Sequence, residues 1–228
     1  MNEGKLQGRT AIITGAGTGL GRAAAIDFAG EGANVVLLGR REGRLAETAA
    51  LIEQTDSGAK ALVIVCDIAD PAAVEAAVGQ AEAAFGSISI LINNAATLEP
   101  GRVIELTADE WARQINANLT GPFLMTNAVL PVMRKARYGR IINITSGLAS
   151  NGAGGYAAYS ASKAGLESLT RTTADEENEY GILVNAFNPG TIRSEMHATG
   201  KDPHQVTAEL VRLASLPVGG LTGSIVAY

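Results

Sequence analysis

At 228 residues, 46% of them hydrophobic and 18% charged, the chain has the composition of a folded globular protein, long enough to bury roughly 70% of the surface its unfolded form exposes. A formal net charge of −5 with no basic stripe argues against a nucleic-acid partner, and no apolar run approaches the roughly 20 residues that span a bilayer. The single cysteine, Cys66, excludes an internal disulfide and suits a reducing compartment, and the opening Met1-Asn2-Glu3-Gly4-Lys5 carries no apolar leader, so the expected location is cytoplasmic.

Short apolar runs alternate with helical stretches from end to end. Segments 10–14, 34–38, 61–65, 88–92, 140–145, 183–187 and 223–227 read as strands, hydrophobic on both faces as parallel strands between two helical layers must be. The first runs into Thr14-Gly15-Ala16-Gly17-Thr18-Gly19-Leu20-Gly21, which opens a helix over 20–29. There Gly15 permits a tight turn, Gly19 a close approach of phosphate to backbone, and Gly21 close packing of helix on strand. The helix N-terminus offers unpaired N–H groups and a positive dipole end to a pyrophosphate. After the second strand an NAD-selective site carries an Asp or Glu for the ribose 2′-hydroxyl; this chain has Gly39-Arg40-Arg41. A guanidinium can grip a 2′-phosphate bidentately, so NADP(H) is the expected cofactor, with NAD(H) the alternative if Arg40 and Arg41 merely begin a solvated helix with Glu42 and Arg44.

The third strand ends in Cys66-Asp67-Ile68, where Asp67 can accept from an adenine amino group, and the fourth in Asn93-Asn94-Ala95-Ala96, beneath a bound cofactor. Asp and Asn also form turns at such positions. Asp70-Pro71 is an N-cap followed by proline at the first helical position. Thr107-Ala108-Asp109-Glu110 has capping-box spacing and opens a long helix towards Arg137, which Pro131 should bend or divide. Asp202-Pro203 opens a last short helix. The alternation predicts right-handed crossovers and an α/β fold, a three-layer doubly wound Rossmann-type sheet of seven parallel strands in a single domain spanning 1–228.

In the helix over 158–178, Tyr159 and Lys163 stand four apart on one face, an arrangement that predicts a tyrosine pKa lowered from about 10 by the neighbouring ammonium. Tyr156 has Ser160 four residues on and lacks that partner. His197 and His204, the only histidines, have no accompanying ligand cluster, so no metal site is expected. Ala161, Gly165, Ser168 and Thr172 form a stripe of small residues on this helix, a face expected, with the long helix, to meet another subunit.

The motifs Thr14-Gly15-x-x-x-Gly19-x-Gly21, Asn93-Asn94-Ala95, Asn118, Ser146, Tyr159-x-x-x-Lys163 and Asn188-Pro189-Gly190 follow in order, with Ser146 thirteen residues before Tyr159. In this the chain resembles the short-chain dehydrogenase/reductase superfamily, in its common single-domain branch, over residues 8 to about 226. The resemblance implies Tyr159 as general acid and base, Ser146 holding the substrate oxygen, and Lys163 tuning Tyr159 and bonding the nicotinamide ribose. It further implies that Asn118 holds a water linking Lys163 to solvent, and that the cofactor is bound by Thr14, Gly15, Gly17, Thr18, Gly19, Leu20, Gly21, Arg40, Arg41, Asp67, Ile68, Asn94, Ala95, Tyr159, Lys163, Pro189, Gly190 and Ile192. Ser194 stands where a Thr often binds the carboxamide, and Ala96 where a Gly is common. Segment 191–217 is expected to form a short lid, with Met196, Leu210, Leu213, Leu216, Leu148 and Tyr156 as apolar pocket candidates. No Asp-Gly-Gly-type tail follows the last strand before Tyr228.

The resemblance implies a homodimer or homotetramer that moves a hydride between NADP(H) and a small carbonyl or alcohol substrate. A 3-oxoacyl-thioester reductase is the specific alternative and a non-catalytic dinucleotide sensor the alternative of another class. The chain is short for a sugar-nucleotide epimerase.

Overall fold

The computed structural model describes residues 4–55 and 57–228; the reading of residues 1–3 as leaderless lies outside them. Among the described residues, strands β1 (Thr10–Thr14), β2 (Asn34–Gly39), β3 (Ala61–Val65), β4 (Ile90–Asn93), β5 (Gly139–Ile144), β6 (Ile182–Asn188) and β7 (Ile225–Ala227) form one parallel sheet in the order β3-β2-β1-β4-β5-β6-β7. The doubly wound seven-stranded reading is borne out. The order reverses between β1 and β4, so a crevice opens above their carboxyl ends, where such sheets bind ligands.

Alternation along the strands builds a core on each face. Ala11, Ile13, Val35, Leu37, Ile90, Ile92 and Ile142 point to one side, where α1 (Gly19–Gly30), α2 (Glu42–Glu53) and α8 (His204–Ala214) pack on them. Ile12, Val36, Leu38, Leu91, Ile141 and Val184 point to the other, under α3 (Pro71–Phe85), α5 (Gly121–Ala136) and α7 (Ala157–Glu177). Asp70 caps α3 through its carboxylate, which accepts from Ala72 and Ala73 N–H, and the Thr107–Glu110 capping box opens α4 (Ala108–Ile115) with both reciprocal bonds formed.

The long helix divides, but not at Pro131, which lies inside α5. A π-helical turn at Asn116–Thr120 separates α4 from α5. The break coincides with Gly121-Pro122. Residue 122 has no N–H to donate to the carbonyl of Asn118 four positions back, so the regular ladder cannot continue there. A short helix, α6 (Leu148–Asn151), precedes α7.

Candidate active site

Above the carboxyl ends of the strands lies a cleft of ≈ 1260 Å³. Of the cofactor candidates, Gly15, Gly17, Thr18, Gly19, Leu20, Arg40, Arg41, Asp67, Ile68, Asn94, Ala95, Tyr159, Lys163, Pro189, Gly190, Ile192 and Ser194 line it, as does Ser146. Thr14, Gly21 and Asn118 do not.

Thr14 is wholly buried at the end of β1. Its hydroxyl donates to the Ile92 carbonyl and accepts from the Asn94 and Ala95 N–H groups at 2.9 and 3.0 Å, so it ties the glycine turn to the end of β4 instead of facing the cleft. Asn94 completes the brace: its amide donates to the carbonyls of Thr14 and Gly15. Gly21 sits beneath the turn. A Cβ there would collide with the Gly15 carbonyl oxygen and lie 2.5 Å from Asn94 Nδ2. Gly21→Ala is therefore expected to lower stability by about 1–3 kcal/mol and to weaken nucleotide binding at least about tenfold, measured by urea unfolding and NADPH fluorescence titration. A variant with unchanged values would contradict this account of the turn.

The cradle itself fits a pyrophosphate. Gly15 and Gly19 adopt φ of +66° and +54°, conformations that side-chain-bearing residues rarely take. The Thr18 side chain, at the N-cap of α1, makes no capping bond, and this helix N-terminus opens on the cleft. Asp67 lines the adjoining wall, one carboxylate oxygen accepting from Ala69 N–H in a tight turn.

Of the two arginines after β2, Arg40 is exposed on the cleft wall with no ion-pair partner among the described residues. Arg41 pairs with Glu195 at 2.7 Å, and Arg44, one turn along α2, lies 3.4 Å from the same carboxylate. The sequence reading named neither Arg44 nor Glu195 as site residues.

Beyond the end of β5, α7 presents Tyr159 and Lys163 to the cleft beside Ser146. Ser146 lies close enough to Tyr159 to favour its ionised form. The expected lowering of the tyrosine pKa is not found: burial raises the Tyr159 phenol above its ordinary value, and the nearby Ser146 hydroxyl is what acts against it. The reason lies with Lys163. Its ammonium is buried, donates to the Ile144 carbonyl at 2.7 Å, stands 5.7 Å from the Tyr159 ring centroid, and is itself pushed down to about 8 by loss of water.

Asn118 sits wholly buried in the π-helical turn, with its side chain spent on one neighbour. Oδ1 accepts from Thr97 N–H and Nδ2 donates to the Thr97 carbonyl, both at 2.8 Å, which fixes the segment after β4 that carries Ala96 and Thr97 along the cleft.

Several lid expectations change. Met196, Tyr156 and Leu148 line the cleft, but Leu210 and Leu213 are buried in the core of α8 against α1, and Leu216 packs against that same core. The Ser194 hydroxyl accepts from Met196 and His197 N–H, closing its own loop. His197 lines the cleft, whereas His204 pairs with Asp27 of α1 at 3.0 Å. No group of three His, Cys, Asp or Glu suited to a metal ion occurs among the described residues. Gly165 of the small-residue stripe faces its own chain, where a Cβ would stand 2.8 Å from Leu119; Ala161, Ser168 and Thr172 are exposed.

Comparison with known proteins agrees with this arrangement. Residues 9–204 match the family described as short chain dehydrogenase. The chain is 34% identical over 218 residues to the 3-oxoacyl-[acyl-carrier-protein] reductase FabG of Escherichia coli (strain K12), covering 96% of this chain and 86% of that one. It is 36% identical over 237 residues to the (2S)-[(R)-hydroxy(phenyl)methyl]succinyl-CoA dehydrogenase subunit BbsD of Thauera aromatica, covering 96% and 94%. Among solved structures, a short-chain type dehydrogenase/reductase from Mycobacterium marinum superposes with a TM-score of 0.90 at 29% identity, over 97% of this chain and 94% of that one. With the motifs in order, the sheet topology and the family match all agreeing, the chain belongs to the short-chain dehydrogenase/reductases, oxidoreductases of carbonyl and alcohol groups.

Proposed function

We propose that this chain is an NADPH-dependent carbonyl reductase whose one domain holds both the nucleotide and the catalytic groups. The observation that carries the reading is the convergence of Tyr159, Ser146 and Lys163 on the cleft that the glycine turn opens. When bound there, the nicotinamide supplies the hydride. Everything else falls to the chain. Ser146 holds the substrate oxygen beside Tyr159, and Tyr159 delivers the proton. A phenol whose pKa is raised by burial stays protonated at neutral pH, which suits an acid and hence reduction.

Lys163 bonds the nicotinamide ribose and replaces the proton on Tyr159. The water that reconnects Lys163 to solvent rests on the Asn118 main-chain carbonyl, since the Asn118 amide is occupied by Thr97 and Pro122 has no N–H for that carbonyl. Arg40, Arg41 and Arg44 give the nucleotide end a cationic wall, which favours a 2′-phosphate over a 2′-hydroxyl.

For substrate, 3-oxoacyl thioesters come first. One relative is named for a 3-oxoacyl carrier-protein substrate and another for a CoA thioester. Met196, Leu148 and Tyr156 offer an apolar wall for an acyl chain. A non-catalytic sensor has no use for a phenol, a serine hydroxyl and a buried lysine converging on one cleft. A dimer or tetramer through α4, α5 and α7 suits the half-exposed Trp111 and Phe123 and the exposed Ala161, Ser168 and Thr172. The one cysteine, Cys66, is an unpaired buried thiol, which fits a cytoplasmic setting.

The test is a spectrophotometric screen of NADPH and NADH against 3-oxoacyl-CoA esters, simple ketones, diketones and quinones. We expect a 3-oxoacyl-CoA ester to give the highest kcat/KM, with NADPH favoured over NADH by about tenfold or more, the weight of one charge-assisted contact. A preference for NADH would overturn the cofactor assignment, and activity confined to simple ketones or quinones the substrate assignment.

A further inference from the structure

Glu195 stands at the tip of a compact loop after β6. The loop is closed by pairing of Ile192 with Lys201, by the Arg193–Asp202 ion pair at 2.8 Å, and by the Ser194 N–H bond to the His197 carbonyl. It rests on the glycine turn: a Cβ on Gly19 would stand 2.9 Å from the Ser194 Cβ. From there Glu195 reaches 154 residues back along the chain. One carboxylate oxygen takes Arg41 at 2.7 Å and the other lies 3.4 Å from Arg44. The carboxylate thus sits between two guanidinium groups on the wall where the proposed reading seats the ribose of a nucleotide.

A phosphate dianion and a carboxylate compete for the same donors in such a seat. The competition is winnable because the latch is exposed: Arg41 and Glu195 keep 58% and 47% of their side-chain surface, and exposed ion pairs are weak. Arg44 has a second carboxylate, Glu47 at 3.1 Å, which also holds Arg22 at 2.7 Å, so Arg44 stays in place when Glu195 leaves.

We propose that Glu195 is a specificity-determining residue, an internal carboxylate occupying the anion seat between Arg41 and Arg44 that a nucleotide 2′-phosphate must displace. A nucleotide ending in a 2′-hydroxyl leaves the latch closed and meets a carboxylate able to accept from it. Glu195 therefore narrows the preference for NADP(H), and displacing it frees the loop that borders the substrate side of the cleft. The inference rests on the reading of the arginine wall as the 2′-phosphate site.

The test uses the intact protein and two probes, adenosine 2′,5′-bisphosphate and 5′-AMP, titrated calorimetrically against the wild type and Glu195→Gln. Glu195→Gln is expected to bind the bisphosphate about tenfold tighter, equivalent to 1.4 kcal/mol, and to bind 5′-AMP within about twofold of wild type. Unchanged or weaker bisphosphate binding in Glu195→Gln, with wild type still preferring the bisphosphate, would overturn the role of Glu195 alone. A wild type and Glu195→Gln that both prefer 5′-AMP would overturn the cofactor reading beneath it. Bisphosphate binding that tightens only in Glu195→Gln supports the latch whatever the wild-type preference.

Discussion

Tyr159→Phe is expected to lower turnover by about 10²–10⁴-fold, the usual weight of a positioned proton donor, while NADPH binds within about twofold of wild type. The substitution removes one oxygen. The ring keeps its place in the cleft wall on α7, and Lys163 keeps its bond to the Ile144 carbonyl, so the nucleotide end is untouched. What is lost is the phenol beside Ser146 that the proposed reading makes the proton donor to a substrate oxygen. Stopped-flow measurement of NADPH oxidation, paired with fluorescence titration of NADPH binding, separates the two effects. Turnover within about threefold of wild type would mean that the proton comes from elsewhere.

Lys163→Met carries the second large effect, and it concerns stability as well as turnover. Burial pushes the Lys163 pKa from 10.5 down to about 8. Between those values the unfolded chain holds a proton on this amine that the folded chain has released, so folding stability rises with pH across that window. Below pH 8 both states are protonated and the full cost of a buried ammonium, about 3 kcal/mol, is present; above 10.5 it is gone. Methionine removes the charge but leaves the Ile144 carbonyl without its donor, a loss of about 1–3 kcal/mol. The two proteins should therefore unfold at similar urea concentrations at pH 7, and the wild type should be the more stable by about 2 kcal/mol near pH 9.5. Parallel stability curves from pH 7 to 10 would contradict the placement of Lys163 as a buried, partly desolvated amine. Turnover should fall at least about 100-fold at every pH, because neither ribose bonding nor proton replacement survives.

Local pattern carried most of the architecture. The glycine segment, the Asp70 cap and the Thr107–Glu110 box are contiguous residues whose chemistry acts within one turn, so spacing alone places them. The strands were legible because covered parallel strands are apolar on both faces, although β4 and β5 each shifted by one or two residues. Features set by distant partners were not legible. Thr14 looked like part of a phosphate turn but is a buried tie between β1 and β4. Leu210 and Leu213 resembled pocket residues, yet helical spacing cannot say which neighbour a stripe meets, and theirs meets α1. The division of the long helix was expected at Pro131 and occurs beside Pro122, where a glycine precedes the proline and Asn118 binds Thr97. The direction of the Tyr159 pKa shift was misjudged because a neighbouring lysine is visible in a sequence and burial is not. Glu195 was invisible as a site residue for the same reason: only the folded chain brings it to Arg41.

A crystal structure of the protein with NADPH bound measures the central claim most directly. The expected result puts the nicotinamide ring facing Ser146 and Tyr159, with room for one carbonyl between the ring and the two hydroxyls. Its carbon would stand about 3–3.5 Å from the hydride-bearing ring carbon and its oxygen within roughly 3 Å of the Tyr159 hydroxyl. A nicotinamide seated away from Tyr159, or a Tyr159 hydroxyl turned into bulk water with the nucleotide in place, would contradict it.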